Sequence, residues 1–393
     1  MVIRNDTRTI DEEFKTLIRS KILSINQTLE YLDVEALIYE ESKVYLIGID
    51  ACKLLAREIY DGMYRLGIIQ KYLDDDSINE IMINGQDNII IEKQGAMICT
   101  DDSFEDIENL NNIIQRMVSA VNRRVNASSP IVDARLSDGS RINIVLPPIA
   151  VNGPVVTIRK FQEKAFTLDW YEKEGILTKD ANQFIQGLIR CKYNIFVSGG
   201  TSSGKTTFLN ALSDHIPTVE RVITIEDSAE LKLSKISNLV SLETRHSTLE
   251  GSLEISMADL IKCALRMRPD RIIIGEIRGE EALEMIHAMN TGHDGSLSTG
   301  HANSSKDMLS RMELMVLSNM ELPIDVVRKL IGSSIDILIH LERNLNGKRY
   351  IKEIYELLGF DENYQLNCLY RLDNHTLIKQ NELINKGKMR LYG

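Results

Sequence analysis

Apolar residues recur at helical spacing in two stretches at the start of the chain. The first runs from Asp11 to about Glu41, and the second from Asp50 to Tyr72. Positions three and four residues apart share one face of a helix, so both stretches predict amphipathic helices with one buried side. We therefore expect a helical extension over residues 1–72. Its role stays open between a packing appendage and a docking module for a partner.

Residues 73–161 change to short β-like runs around one long helix. Two runs, INEIMING and DNIIIEKQGAM, meet at residues 84–87, where Asn, Gly and Asp favour a turn. An amphipathic helix is predicted from about Phe104 to Val125, and a second turn at Asp138 and Gly139 lies between β-like flanks. A final strand, VVTIRKF, completes a predicted α+β domain.

After a polar linker at residues 162–178, strands and helices alternate over residues 179–393. This order is what a parallel α/β sheet with helical crossovers requires. The predicted strands cover residues 194–199, 221–226, 271–276 and 296–299, and the predicted helices cover residues 204–213, 256–267, 279–290 and 304–318. The tail after Leu341 is expected to add strands and loops to the same domain.

The sharpest motif is NIFVSGGTSSGKTT, residues 194–207. It fits G-x-x-x-x-G-K-[ST] with Gly199, Gly204, Lys205 and Thr206 in place, between a predicted strand and a predicted helix. In such a loop, backbone N–H groups and a helix N-terminus surround phosphate oxygens. We expect Lys205 to reach the outer phosphates of ATP and Thr206 to hold Mg²⁺. The other loop residues predicted to contact the nucleotide are Gly200, Thr201, Ser202, Ser203 and Thr207.

Two acidic signals follow, each at the end of a predicted strand, where open α/β sheets bind ligands. VITIEDSAEL delivers Glu226, a candidate general base that orients water at the terminal phosphate. Asp227 and Glu230 beside it stay open between function and simple exposure to solvent. RPDRIIIGEIRG places Glu276 at the end of the next core strand, where it could hold Mg²⁺ through water or polarise the attacking water.

A third signal is NTGHDGSLSTGHANS, which combines three glycines with two histidines ahead of a predicted helix. His301 directly follows the strand-like SLST, and we predict that it senses or donates to the γ-phosphate. His293 stays open, because a single histidine is as often a packing or surface residue.

Arginines complete the candidate site, since phosphoryl transfer needs added positive charge. Arg135 and Arg141 flank the Asp-Gly turn, and Arg159 lies on the last strand of the first domain. Four more are predicted to cluster around Glu276, with Arg278 as a nucleotide contact. These four are Arg266, Arg268, Arg271 and Arg278.

Composition narrows the classes of partner. The 393 residues are 43% hydrophobic and 26% charged, which is ordinary for a folded protein of two or three domains. The formal net charge of −11 argues against a protein that coats DNA without regard to sequence, because binding along the phosphate backbone of DNA needs a basic surface. Nucleic acid is therefore not an expected partner.

Cysteine usage and hydropathy favour a cytosolic chain. The five cysteines are scattered and never form a C-x-x-C pair, which predicts reduced thiols without structural zinc. No run of 18 apolar residues occurs, and the start MVIRNDTRTIDEEF carries charges where a signal peptide needs an apolar core. The sequence thus predicts no transmembrane segment.

Together the motifs resemble those of the type II/type IV secretion ATPase superfamily. GGTSSGKTT, TIEDSAEL, LRMRPDRIIIGEIRGEEA and MNTGHDGSLSTGHANS look like its Walker A, Asp box, Walker B and His box. Upstream, INEIMINGQDNIIIEKQG, VDARLSDGSRIN and VTIRKF are similar to the first domain of the Flp/Tad pilus-assembly branch (CpaF-like). The resemblance covers roughly residues 70 to 345. The lack of the tetracysteine zinc module that is common in the type II secretion branch also favours the Tad-like branch.

The resemblance implies a RecA-like P-loop ATPase core with a smaller α+β N-terminal domain. It further implies a homohexameric ring, peripheral at the cytoplasmic face of the inner membrane, that uses ATP to drive pilus assembly or protein secretion through membrane platform proteins. By position, the resemblance assigns phosphate and Mg²⁺ binding to Lys205 and Thr206, and phosphate sensing to His301. It assigns water activation and metal binding to Glu226 and Glu276. It also implies that arginines of the first domain, here Arg141 and Arg159, reach the nucleotide.

Alternatives remain within and outside the enzyme class. A conjugation or DNA-transfer ATPase and a pilus-retraction motor share the same core motifs. A nucleotide-gated scaffold without significant turnover is disfavoured, because Glu226, Glu276 and His301 are all present. A nucleic-acid-binding regulator is disfavoured by the acidic charge and by the lack of an aromatic and basic patch.

Overall fold

The chain forms two compact units, residues 1–162 and 163–393, in a computed structural model. The structure describes residues 7–25, 27–45, 47–93, 95–121, 123–161, 166–245, 253–318, 320–344 and 347–392. None of the helices in these ranges combines the length and the apolar character needed to cross a membrane.

The first unit begins with helices α1 (Thr7–Ser24), α2 (Tyr31–Tyr45), α3 (Ile49–Tyr64) and, after a short 3-10 turn, α4 (Gln70–Leu73). The first three share a small core, whereas Tyr72 of α4 packs in the core of the sheet that follows. Phe14, Ile18, Val34, Ile38 and Ile59 are fully buried against one another. The helical prediction is confirmed, but the first stretch divides into two helices, because apolar spacing marks the buried face of each helix and not the turn between them.

A six-stranded antiparallel sheet follows in the same unit. Its elements are β1 (Ile78–Asn84), β2 (Ile89–Lys93), β3 (Ala96–Cys99), α5 (Ile107–Ala120), β4 (Ile131–Arg135), β5 (Arg141–Val145) and β6 (Val155–Arg159), with strand order β3-β2-β1-β6-β5-β4. Helix α5 begins after Asp106, whose carboxylate accepts the Asn109 N–H at 2.7 Å. It ends at Ala120, so the predicted extension to Val125 is wrong. Val125 is buried beyond the helix end, which is why the apolar spacing continues there.

The second unit is a nine-stranded sheet with helices. Its first half contains α6 (Leu168–Lys173), α7 (Lys179–Arg190), β7 (Ile195–Gly199), α8 (Lys205–Ser213), β8 (Arg221–Glu226), β9 (Asn238–Glu243), α9 (Met257–Ala264) and β10 (Arg271–Ile277). Its second half contains α10 (Glu281–Asn290), β11 (Leu297–His301), α11 (Ser305–Leu317), α12 (Ile324–Ser334), β12 (Ile337–Arg343), β13 (Arg349–Asp361), β14 (Asn363–Asp373), β15 (Thr376–Lys379) and α13 (Gly387–Tyr392).

Strand order in this sheet is β15-β14-β13-β12-β7-β11-β10-β8-β9. The six strands from β12 to β9 are parallel, and the tail adds three antiparallel strands. Strands were predicted in the tail, but their antiparallel direction was not. Two hydrophobic clusters line the sheet, one with α7 and α8 and the other with α9 to α12. The predicted α/β class is confirmed.

Parallel pairing brings the candidate residues to one edge. Strands β7, β11, β10 and β8 are consecutive neighbours, so their carboxyl ends lie side by side. These ends carry Gly199, His301, Glu276 and Glu226. The segment proposed as a linker contains α6, whose Leu168 and Tyr171 are buried in the core of the second unit.

Candidate functional site

The loop between β7 and α8 is built around two glycines. A Cβ on Gly199 would lie 2.5 Å from the Leu341 carbonyl oxygen and 2.6 Å from Ser203 Oγ, so a larger residue does not fit. Gly204 has a φ of 92°, in the left-handed region where a side chain is strained. The glycine spacing of the motif is therefore a steric requirement of this turn.

The polar groups of the loop suit phosphate oxygens. Lys205 is buried at the start of α8, and its Nζ donates to the carbonyl oxygens of Gly199 at 3.2 Å and Gly200 at 3.0 Å. Ser203 is 2% exposed, and its hydroxyl has no hydrogen-bond partner among the described residues. An ammonium, an unsatisfied hydroxyl and a helix N-terminus on one tight loop fit a chain of phosphates.

His301 joins this loop to the neighbouring strand. Its Nδ1 lies 3.2 Å from Lys205 Nζ, and its Nε2 lies 2.8 Å from Glu276 Oε1. Burial and the adjacent Lys205 ammonium lower the pKa of His301, which favours the neutral ring. A neutral ring that accepts at Nδ1 carries its proton on Nε2, the nitrogen nearest Glu276. Glu276 Oε1 is buried and makes no hydrogen bond among the described residues, so its 2.8 Å approach to Nε2 is a close polar contact. The three side chains thus form one connected polar group.

Charges of alternating sign continue beyond Glu276. Arg278 Nη2 lies 2.7 Å from Glu276 Oε2, and Arg278 Nη1 lies 3.6 Å from Asp227 Oδ2. Thr244 donates its hydroxyl to Asp227 Oδ1 at 2.9 Å. The predicted residues Glu276, His301, Lys205 and Arg278 are therefore brought together by the fold.

Glu226 has a different set of contacts. It is 3% exposed, and its carboxylate accepts the backbone N–H groups of Glu230 at 2.9 Å and Leu231 at 3.0 Å. A Cβ on Gly275 would lie 2.9 Å from Glu226 Cγ, so the two strands touch at this point. These bonds shape the turn after β8, and the water-orienting role of Glu226 stays a prediction.

The predicted arginine cluster around Glu276 is wrong for three of its four members. Arg271 is fully buried at the amino end of β10 and binds the Glu220 carboxylate at 2.5 and 3.2 Å, whereas Glu276 lies near the carboxyl end. Arg266 and Arg268 precede that amino end. Arg278 is the member of the set that reaches Glu276.

Arg141 and Arg159 belong to the first unit. They lie directly opposite each other on β5 and β6, and Arg159 Nε is 3.8 Å from Glu80 Oε1. Pairing of the two strands thus gives this sheet two adjacent cations. Their predicted contact with nucleotide stays a prediction.

A pocket of about 480 Å³ opens beside the loop and adds a residue that the motifs did not indicate. Arg311 on α11 lines it, and its charge also lowers the pKa of His301. The sequence signal for Arg311 was its position one helical turn after Asp307, which lines the same pocket.

The two threonines of the predicted nucleotide-binding motif, Thr206 and Thr207, lie on the first turn of α8 and are both half-buried. Within the described ranges, no group of three or more His, Cys, Asp or Glu side chains is arranged to hold a metal by itself.

The sequence matches known proteins over most of its length. A family model described as type II/IV secretion system protein matches residues 64–368. The conjugal transfer protein TrbB of Rhizobium radiobacter is 32% identical, over 78% of this chain and 91% of TrbB. The type IV secretion system protein VirB11 of Brucella suis is 32% identical, over 74% of this chain and 89% of VirB11.

Two further comparisons concern length and fold. The uncharacterized protein MJ0781 of Methanocaldococcus jannaschii is 37% identical over 71% of this chain, and the match spans 40% of that longer protein. The X-ray structure of the Legionella pneumophila ATPase DotB superposes with a TM-score of 0.53 at 20% identity, covering 76% of this chain and 81% of DotB. At that identity the likeness shows a shared fold, which confirms the expected RecA-like core with a smaller N-terminal domain.

Proposed function

The chain belongs to the type II/IV secretion system protein family, and from that premise we propose that it is an ATP-hydrolysing motor of an envelope secretion or pilus machine. We call residues 199–205 the phosphate loop. The observation that supports hydrolysis is the contact of His301 on β11 with both Lys205 of this loop and Glu276 on the adjacent strand β10. More narrowly, we propose a homohexamer at the cytoplasmic face of the cell membrane that powers Flp/Tad-type pilus assembly or protein secretion through membrane platform proteins.

In this proposal the residues divide the work by position. The loop amides and Lys205 bind the β- and γ-phosphates of ATP, and Glu276 orients the attacking water and accepts its proton. His301 holds the Lys205 ammonium and the Glu276 carboxylate at a fixed spacing and senses the terminal phosphate. Mg²⁺, bound by Thr206 and through water by Glu276, would neutralise charge on the phosphate oxygens. Arg141, Arg159 and Arg278 are proposed to add positive charge at the nucleotide.

A DNA-transfer ATPase is the second candidate, because the relative TrbB is named for conjugal transfer. It would share the same site and differ in what the motor moves. Stimulation of ATP hydrolysis by single-stranded DNA, absent with a polyanion of equal charge, would favour this second function. Equal or no stimulation by the two polymers favours assembly or secretion.

The test compares ATP hydrolysis by the wild type, Lys205→Ala and Glu276→Gln, with Glu280→Gln as a matched control. Glu280 is an exposed carboxylate four residues after Glu276. We expect both site variants to lose turnover and the control to keep it, with light scattering giving the mass of six chains in the presence of ATP. Turnover that persists in Glu276→Gln would refute the catalytic role. A folded hexamer that binds ATP without hydrolysing it would point to the nucleotide-gated scaffold.

A further inference from the structure

The phosphate loop is contacted from the C-terminal part of the chain by Arg349. This arginine is the first residue of β13, and its Nε donates to the Ser202 carbonyl oxygen at 3.1 Å across 147 residues of sequence. Its Cδ would lie 3.2 Å from a Cβ on Gly204. The hairpin of β12 and β13 therefore places one side chain against two positions of the loop, Ser202 and Gly204.

The contact falls where the loop backbone is least favourable. Ser202 has a φ of 57°, a left-handed conformation that residues other than glycine rarely adopt. Such a conformation persists when the surrounding structure holds it in place. A charge-assisted hydrogen bond to the Ser202 carbonyl is a direct means of holding it.

The direction of this bond also fixes the next amide. In a trans peptide the carbonyl and the N–H point to opposite sides. With the Ser202 carbonyl turned toward Arg349, the Ser203 N–H points into the loop, where it makes a long 3.4 Å bond to the Gly200 carbonyl. A long bond is readily exchanged for a shorter, charge-assisted one to a phosphate oxygen.

We propose that Arg349 is a positioning residue of the nucleotide site, which pre-forms the loop for the phosphates shared by ATP and ADP. The inference rests on the proposed function, because it assumes that the loop binds a nucleotide. It acts through the backbone of the loop, while Glu276 and His301 on β10 and β11 carry the chemistry. Its loss should therefore weaken binding of both nucleotides alike and leave the hydrolysis step unchanged.

The experiment uses the full chain as wild type, Arg349→Ala and Arg349→Lys. Exposed Lys348 gives the matched control Lys348→Ala, which removes a positive charge from the adjacent position. Titration calorimetry with ADP and with a non-hydrolysable ATP analogue measures Kd, and steady-state hydrolysis gives KM and kcat. Thermal unfolding without nucleotide checks that each variant folds.

We expect Arg349→Ala to raise Kd for both nucleotides about tenfold, with kcat within about twofold of wild type. Arg349→Lys keeps a charged donor and should recover part of the affinity, and Lys348→Ala should bind like wild type. If wild type binds ADP and Arg349→Ala binds it equally, the inference fails while the proposed function stands. A wild type that folds but binds neither nucleotide overturns both. A fall in kcat at unchanged Kd overturns the positioning role, and Arg349→Lys decides the question if Arg349→Ala does not fold.

Discussion

Replacing His301 with alanine tests how the site works. The ring lies 3.2 Å from Lys205 Nζ and 2.8 Å from Glu276 Oε1, so its removal takes away the group between the proposed phosphate-binding cation and the proposed base. Hydrogen bonds to charged groups contribute about 1.5–3 kcal/mol each. The His301 side chain is 33% exposed, and only its contact with Lys205 has hydrogen-bond geometry, so we take one bond near the lower end and expect a barrier higher by about 1.5–2 kcal/mol. This corresponds to a kcat about 10- to 30-fold lower.

The assay is steady-state ATP hydrolysis together with direct ADP binding. Since Lys205 and the loop remain, Kd for ADP should change by less than about threefold, and the loss should appear in kcat. His293→Ala is the matched control, because this half-buried histidine lies in the same segment and contacts the Ala288 carbonyl instead. A kcat for His301→Ala within about threefold of that control would refute the bridging role.

Three further outcomes are expected. The pKa of His301 lies below its ordinary 6.5, so the ring is neutral at pH 7. We expect kcat to fall only when the pH drops below 6.5 and the ring gains a proton. His301→Gln should lack this acid limb in a pH–rate profile. Arg271→Met removes both hydrogen bonds to the buried Glu220 carboxylate and leaves it Lys192 at 3.9 Å, so it should lower the free energy of unfolding by about 3 kcal/mol in urea titrations. Adding Glu220→Leu should restore most of this loss. Asp106→Ala removes the N-cap of α5 and should cost about 1 kcal/mol; an unchanged urea midpoint would contradict the capping role.

The strands formed by unbroken apolar runs were predictable from the sequence. The strand Arg221–Glu226 matches its predicted bounds, and β7 and β10 differ from theirs by one residue. Each is an apolar run buried on both faces of a parallel sheet, which leaves a strong local pattern. Because parallel strands end at one edge, Glu276 and His301, which lie at the carboxyl ends of β10 and β11, were also placed correctly at that edge.

Long-range contacts were not predictable in the same way. Arg271 lies five positions before Glu276, but a strand rises about 3.3 Å per residue, so the two residues lie about 16 Å apart. Arg349 reaches the loop because β13 pairs with β12, and β12 pairs with β7. No local pattern reports such a pairing, since it depends on which strands of the chain become neighbours.

At the opposite edge of the sheet, the amino ends of three strands are joined by hydrogen bonds around Asn194. Asn194 is buried just before β7, and its side chain accepts the N–H groups of Gly295 and Ser296 before β11 and donates to the Ser334 carbonyl before β12. Asp336 accepts the Asn194 N–H at 2.7 Å.

Lys388 of α13 then binds Asp336 at 2.7 Å and Asp294 at 2.6 Å, so the C-terminal segment closes this cluster. The amino ends of β7, β11 and β12 are thereby tied together by buried hydrogen bonds, which are costly to break without replacement. The carboxyl ends instead carry the loop between β7 and α8 and His301, whose charged contacts would be exchanged for contacts with phosphate oxygens in the proposed nucleotide site. Nucleotide-dependent change in this unit should therefore begin in the loops at the carboxyl edge, while the amino edge keeps the strands in register.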